Sequence, residues 1–173
     1  MTRACWRHAV PGHPPRQGRV LILYFRADVK SLAEKGKRYP WPRPKRCPLC
    51  RGDRVWVHSY TPRYFEGLAF PLWTIKYRCE DCETVHTLRP AAFWARFRYA
   101  ISTILRSLCQ RILHGRWLKT LSRQVQQYWH RGFRFQASRT RNRAGPGLDA
   151  LRDLLARGHV PVTHAIQSER RYV

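Results

Sequence analysis

Two short cysteine pairs constrain this chain more than anything else in it. Cys47-Pro48-Leu49-Cys50 and Cys79-Glu80-Asp81-Cys82 are separated by 28 residues. Two thiolates from each of two tight turns can close a tetrahedron around one zinc ion, with Zn–S bonds of about 2.3 Å. The pattern therefore predicts a structural zinc site built from Cys47, Cys50, Cys79 and Cys82. Four sulfurs fill the tetrahedron and leave no open position for chemistry at the metal. Pro48 stiffens the first turn, and Gly52 is expected to supply a positive φ just after it. Lys45, Arg46, Arg51, Arg54, Lys76 and Arg78 flank the cysteines, and their positive field favours the metal-binding thiolate. His86 reads as a strand residue, because the ligand set is complete without it. Cys5 and His8, with no complementary pair close by, read as incidental.

Around the pairs the sequence predicts a small ribbon. Arg54 to Tyr60 and Phe70 to Arg78 alternate like strands, residues 61–67 form a loop, and Thr84 to Leu88 makes a third strand. Such a three-stranded antiparallel sheet is too small to be stable alone, so the ion is expected to contribute its folding energy. Upstream, residues 1–18 read as a flexible arm. Val20 to Phe25 reads as a buried strand. Asp28 to Lys35 reads as a short helix with an Asp cap and Gly36 as its stop. Tyr39-Pro40-Trp41-Pro42-Arg43-Pro44 cannot be helical and reads as an extended linker.

Charge is the second constraint. Lys and Arg number 34 against 10 Asp and Glu, a formal charge of +24. A chain so positive repels itself unless a polyanion neutralises it, which points to nucleic acid. No acidic residue falls between Glu83 and Asp149, a window with 13 basic residues, 12 of them Arg. A helix is expected just after Leu88-Arg89, with Pro90 near its first position. Its apolar face is Phe97, Ile101, Ile104, Leu105, Leu108 and Ile112, with Cys109 beside it, and His114-Gly115 closes it. A second helix is expected from Leu118 or Ser122 to Arg131, with Leu118, Leu121, Val125, Tyr128 and Trp129 as its stripe. Its other face offers Arg123, Gln124, Gln127, His130 and Arg131, side chains suited to base edges and phosphates. Arg131 to Phe135 is expected to end that helix. Arg139, Arg141 and Arg143 then lie in a basic loop that can track a phosphate backbone. Leu148 to Arg157 reads as a short helix stopped by Gly158, and the tail beyond Val162 as frayed.

The fold class expected is α+β: a small four-cysteine zinc ribbon preceded by a strand and followed by a helical, helix-turn-helix-like region. The boundaries are 1–18 for the arm, 19–90 for the strand and ribbon, 91–135 for the helical region, and 136–173 for the basic loop, short helix and tail. Over residues 19–135 the chain resembles an uncharacterised prokaryotic zinc-ribbon/helix-turn-helix family of transposase-like, insertion-sequence-derived proteins. The resemblance is carried by the strand, the Pro-rich lead into Cys47-Pro48, the closing Cys79/Cys82 pair, Leu88-Arg89-Pro90, and Ser122-Arg123-Gln124-Val125 through Trp129-His130-Arg131. It implies a recognition helix at the last of these. Only His114 to Leu121 separate the two long helices, which leaves a contracted motif or a plain helical hairpin.

The ten acidic residues are too scattered to converge on the divalent ions that strand transfer requires. No nucleophile–base pair, phosphate-cradling Gly loop or H-E-x-x-H helix is present. His8 with His13 and His159 with His164 read as incidental. No catalytic residue is therefore assigned, and the chain is not expected to be an enzyme. The expected function is that of a zinc-dependent DNA-binding protein, mobile-element-derived and without its own catalytic core. The partner is nucleic acid, double-stranded DNA first, with a homodimer or a transposition partner left open. The alternatives are an RNA- or ribosome-associated zinc ribbon and a zinc-ribbon protein-interaction adaptor. The early apolar run, Val20 to Phe25, is too short for a membrane span or a signal core. A cytoplasmic, nucleoid-associated protein with reduced thiols and no membrane contact is expected.

Overall fold

The computed structural model describes residues 20–140 and 145–164, and the backbone of 171–172. The expectations for residues 1–18, for Cys5, His8 and His13, and for Arg141 and Arg143 lie outside the described residues. In chain order the elements are β1 (Val20–Phe25), α1 (Val29–Lys35), β2 (Val55–Arg63), β3 (Leu72–Cys79), β4 (Val85–Pro90), α2 (Ile101–His114), α3 (Arg123–Arg139), α4 (Leu148–Ala156) and β5 (Arg171–Tyr172).

The class is α+β, as expected, with four helices and a mixed sheet among the described residues. The self-standing antiparallel ribbon is not what forms. β2, β3 and β4 pair antiparallel, but β1 joins β4 in parallel, in register from Val20 opposite Val85 to Phe25 opposite Pro90. The long strands run in the order β2-β3-β4-β1, and two-residue β5 extends the edge of β1. The physical reason lies in β1 itself. Leu23, Tyr24 and Phe25 are all buried, and a six-residue apolar strand satisfies its backbone only by entering a sheet.

α1 forms as its ends dictate. The Asp28 carboxylate accepts from the amides of Lys30 and Ser31, and Gly36 closes the helix at φ 54°. The Pro-rich stretch is more than a linker. Tyr39 and Trp41 lay their rings against Phe25, at centroid distances of 6.1 and 5.7 Å, and Arg43 Nε donates to the Val55 carbonyl at 3.1 Å. Burying Phe25 beneath them contributes roughly 2–3 kcal/mol.

The helical half differs from expectation at three places. No helix begins at Pro90, which is instead the buried last residue of β4. Arg96 takes φ 68°, a left-handed turn that interrupts any helix through 91–100, and α2 starts at Ile101. α3 does not end at Arg131–Phe135 but runs on to Arg139. It passes through Gly132 because Gly132 lies against the Val162 backbone, where a Cβ would sit 2.2 Å from the Val162 oxygen. The chain past Val162 is anchored at its start: Gln136 Nε2 donates to the Thr163 carbonyl at 2.7 Å, and the His164 ring lies against Tyr128 and Phe135.

Two hydrophobic cores result among the described residues. One joins the sheet, α1 and two of the cysteines, around Leu23, Phe25, Leu32, Ile75, Tyr77 and Leu88. The other joins α2, α3 and α4 around Trp94, Ile104, Leu108, Trp129, Phe133 and Leu154, with Cys109 partly buried beside it. Gln126 is the unexpected member of the helical half. It is fully buried and pins the connection between α2 and α3. Its Oε1 accepts from the Leu118 amide (2.9 Å) and Ser107 Oγ (2.8 Å), and its Nε2 donates to the carbonyls of Leu118 (2.9 Å) and Leu121 (3.1 Å). That connection, residues 115–122, contains no helix of its own.

Candidate metal centre

The four cysteines converge. Their sulfurs all lie within 4.8 Å of one another, with Cys47–Cys82 and Cys50–Cys79 both at 3.6 Å. A regular tetrahedron with metal–sulfur bonds of about 2.3 Å has edges of about 3.8 Å. The donor set is therefore suited to a tetrahedral metal ion, with two of its edges close to that length. Cys47 and Cys79 are buried, Cys82 is half-buried and Cys50 faces solvent.

The two turns are copies of one local structure. In each, the amide of the first cysteine donates to the carbonyl five residues on: Cys47 to Gly52 (2.7 Å) and Cys79 to Thr84 (3.1 Å). In each, the residue after the second cysteine is left-handed, Arg51 at φ 64° and Glu83 at φ 58°. In each, the amide two residues past the second cysteine also bonds that cysteine's sulfur, Gly52 to Cys50 and Thr84 to Cys82. Amide donors aimed at sulfur favour the thiolate. The positive φ thus falls on Arg51 and not on Gly52, where the sequence pattern places it. Gly52 is required for another reason: a Cβ there would lie 1.9 Å from Asp81 Oδ2 of the opposite turn.

The sulfurs are not electrostatically equivalent. Burial pushes the Cys79 thiol up, and at Cys50, although the residue faces solvent, partial desolvation of the sulfur among its neighbours does the same. At Cys82 burial also raises the value, but bonds from the Thr84 hydroxyl and amide and from neighbouring sulfurs outweigh it, bringing the thiol down to about 7. Arg54 ties the turns together. It bonds Asp81 through Nε at 2.9 Å, lies 3.6 Å from Glu80, and accepts the Glu80 amide on its own carbonyl. His86 is a strand residue with a role in this environment: fully buried, it places Nε2 3.3 Å from Cys47 Sγ.

The residues expected at a nucleic-acid surface are more dispersed. Arg123, Gln124 and Arg131 are exposed on α3, whereas Gln127 and His130 are half-buried. The His130 ring packs edge-on to Trp117 at 5.8 Å. Burial, with Arg111 and Arg134 nearby, holds His130 below its ordinary value. Arg139 is the last residue of α3, its guanidinium over the Phe135 ring. Ser122 stands at the N-cap of α3 but makes no side-chain cap bond.

No protein-family model, curated protein or solved structure matches the chain. No helix among the described residues is long and apolar enough to cross a membrane.

Proposed function

We propose that the protein is a zinc-stabilised DNA-binding module, derived from a mobile element and lacking a catalytic core of its own. One observation carries the reading. Arg106, Arg116, Lys119, Arg123, Arg131, Arg134 and Arg139 are exposed on the helical half, and none forms an ion pair among the described residues. The described ion pairs elsewhere use Arg54, Arg78, Arg98, Arg152 and Arg157. A surface whose cations meet no carboxylate, in a chain with no acid between Glu83 and Asp149, attracts phosphates and offers nothing to repel them.

Zinc is the metal of the proposal because four thiolates at tetrahedral spacing suit it and leave no open coordination position. The transposase-like assignment rests on the sequence resemblance alone. On this reading α3 is the reading helix, with Arg123, Gln124 and Arg131 toward the duplex. The RNA reading draws its support from Trp56, which is half exposed with Arg43 over its ring at 5.1 Å, a pair suited to stacking on an unpaired base.

Competition among duplex DNA, single strands and structured RNA at equal salt tests the assignment. Contact with about six to eight phosphates gives a slope of log K against log salt of about −5 to −7. Arg123→Ala is expected to alter sequence preference, whereas Arg141→Ala is expected to weaken all sequences alike. A slope near zero removes both nucleic-acid readings and leaves the protein adaptor.

A further inference from the structure

The second face of the sheet carries a site that the metal centre does not use. Side chains alternate along a strand, so His86 and Leu88 of β4 enter the core while Thr87 and Arg89 turn to the opposite face. There a shallow trough crosses all four long strands, lined by Val20 and Ile22 of β1, Thr87 and Arg89 of β4, Thr74 of β3 and Arg63 of β2. Its lining has two guanidinium groups, two hydroxyls and no carboxylate.

Arg89 is held in place from behind. Its Nη2 donates to the Phe97 carbonyl at 2.7 Å, and its guanidinium lies over the Phe65 ring at 5.0 Å. Its Nε is buried and donates to nothing among the described residues. Burial destabilises its charge; Tyr24 offsets part of that cost, and the charge of Arg63 adds to it. A half-buried cation facing a second cation is costly unless an anion lies between them. The lining residues supply no such anion. Thr74 donates its hydroxyl proton to the Thr61 carbonyl at 2.9 Å, which leaves the Thr87 hydroxyl, the Arg63 guanidinium and the N–H groups of Arg89 not given to Phe97 as donors. Such a set matches the oxygens of a phosphate group.

We propose that this trough, between Arg63 and Arg89 with Thr74 and Thr87 on its floor, is a binding site for a phosphate group. The proposal rests on the nucleic-acid reading and deepens it: a backbone phosphate seated there would carry the strand across the sheet as well as past α3. Free phosphate is the other source of the same chemistry.

The test uses the full-length, zinc-loaded protein. Inorganic phosphate is titrated while the side-chain Nε–H resonances of Arg63 and Arg89 are followed by NMR. A labelled duplex is titrated separately over a range of salt. Saturable shifts of both arginines are expected in the wild type, and Arg63→Gln is expected to abolish the Arg89 shift. The Arg63 side chain is exposed and makes no ion pair or hydrogen bond among the described residues, so this variant is expected to keep the fold. Arg89→Gln serves only as a companion, since it also loses the bond to Phe97. If the backbone is the source, Arg63→Gln flattens the duplex salt slope by about 0.9. If the source is free phosphate, the shifts persist in the wild type and the duplex slope is unchanged by the substitution. Arginine resonances that phosphate does not move, or an Arg63→Gln protein that binds phosphate like the wild type, would overturn the site. Duplex binding with a steep salt slope in that same case leaves the α3 reading standing. Phosphate shifts without any duplex binding sink the α3 reading and keep the trough.

Discussion

His86 Nε2 lies 3.3 Å from the Cys47 sulfur, in a site where both residues are buried from water. Burial holds the imidazole below its ordinary value, which favours the uncharged ring with its single N–H. Placed on Nε2, that N–H donates to the thiolate and fixes its orientation, as groups behind metal ligands commonly do.

His86→Leu keeps much of the volume and loses the donor. It is expected to weaken metal binding by about 10-fold to 100-fold, read by competition with a chromophoric chelator. An affinity equal to wild type would show that the contact is packing alone.

Removing the metal is expected to divide the molecule. Cys47 and Cys79 belong to the core of the sheet, whereas α2, α3 and α4 surround a core of their own. Chelation, or Cys79→Ser, is expected to melt the sheet and leave most of the helical signal in circular dichroism. An apo-protein that keeps its strand amides protected from hydrogen exchange would contradict the metal's part in folding.

Gln126→Ala strands two carbonyls, one amide and the Ser107 hydroxyl in a dry site. The expected cost is about 3 kcal/mol, measured by urea unfolding followed on the helical half. A loss under about 1 kcal/mol would mean that water replaces the amide.

His130 gives a pH dependence whose sign follows from its environment. Its folded value lies below its ordinary one, so the unfolded chain takes up a proton first as pH falls. Stability is full above about 6.5 and declines below it. His130→Gln is expected to flatten that part of the stability–pH curve relative to wild type. A curve parallel to wild type would show that His130 titrates alike in both states.

Much of the local structure is legible in the residues because its causes are local. The Asp28 cap, the Gly36 and Gly115 stops, the strand alternation around the cysteines and the convergence of the two pairs all follow from residues a few positions apart. The errors lie where a distant partner decides. Gly132 reads as a helix stop until the Val162 backbone is laid against it. Pro90 reads as a helix start until β1 pairs with β4 and Arg96 turns the chain aside. Gln126, which nothing in the sequence singles out, gains its role only when Leu118 and Leu121 fold back on its amide.

Residue order alone is enough to specify a four-sulfur site, an α+β set of elements and a basic chain with no acid from Thr84 to Leu148. Packing in three dimensions was needed to close the sheet with β1 in parallel, to set His86 behind a sulfur, and to bring Arg63 and Arg89, 26 positions apart in the chain, into one trough. Caps, turns and metal-binding spacings are fixed by near neighbours. Strand order and the meeting of side chains across a sheet depend on which long-range burial most reduces the free energy of the whole chain.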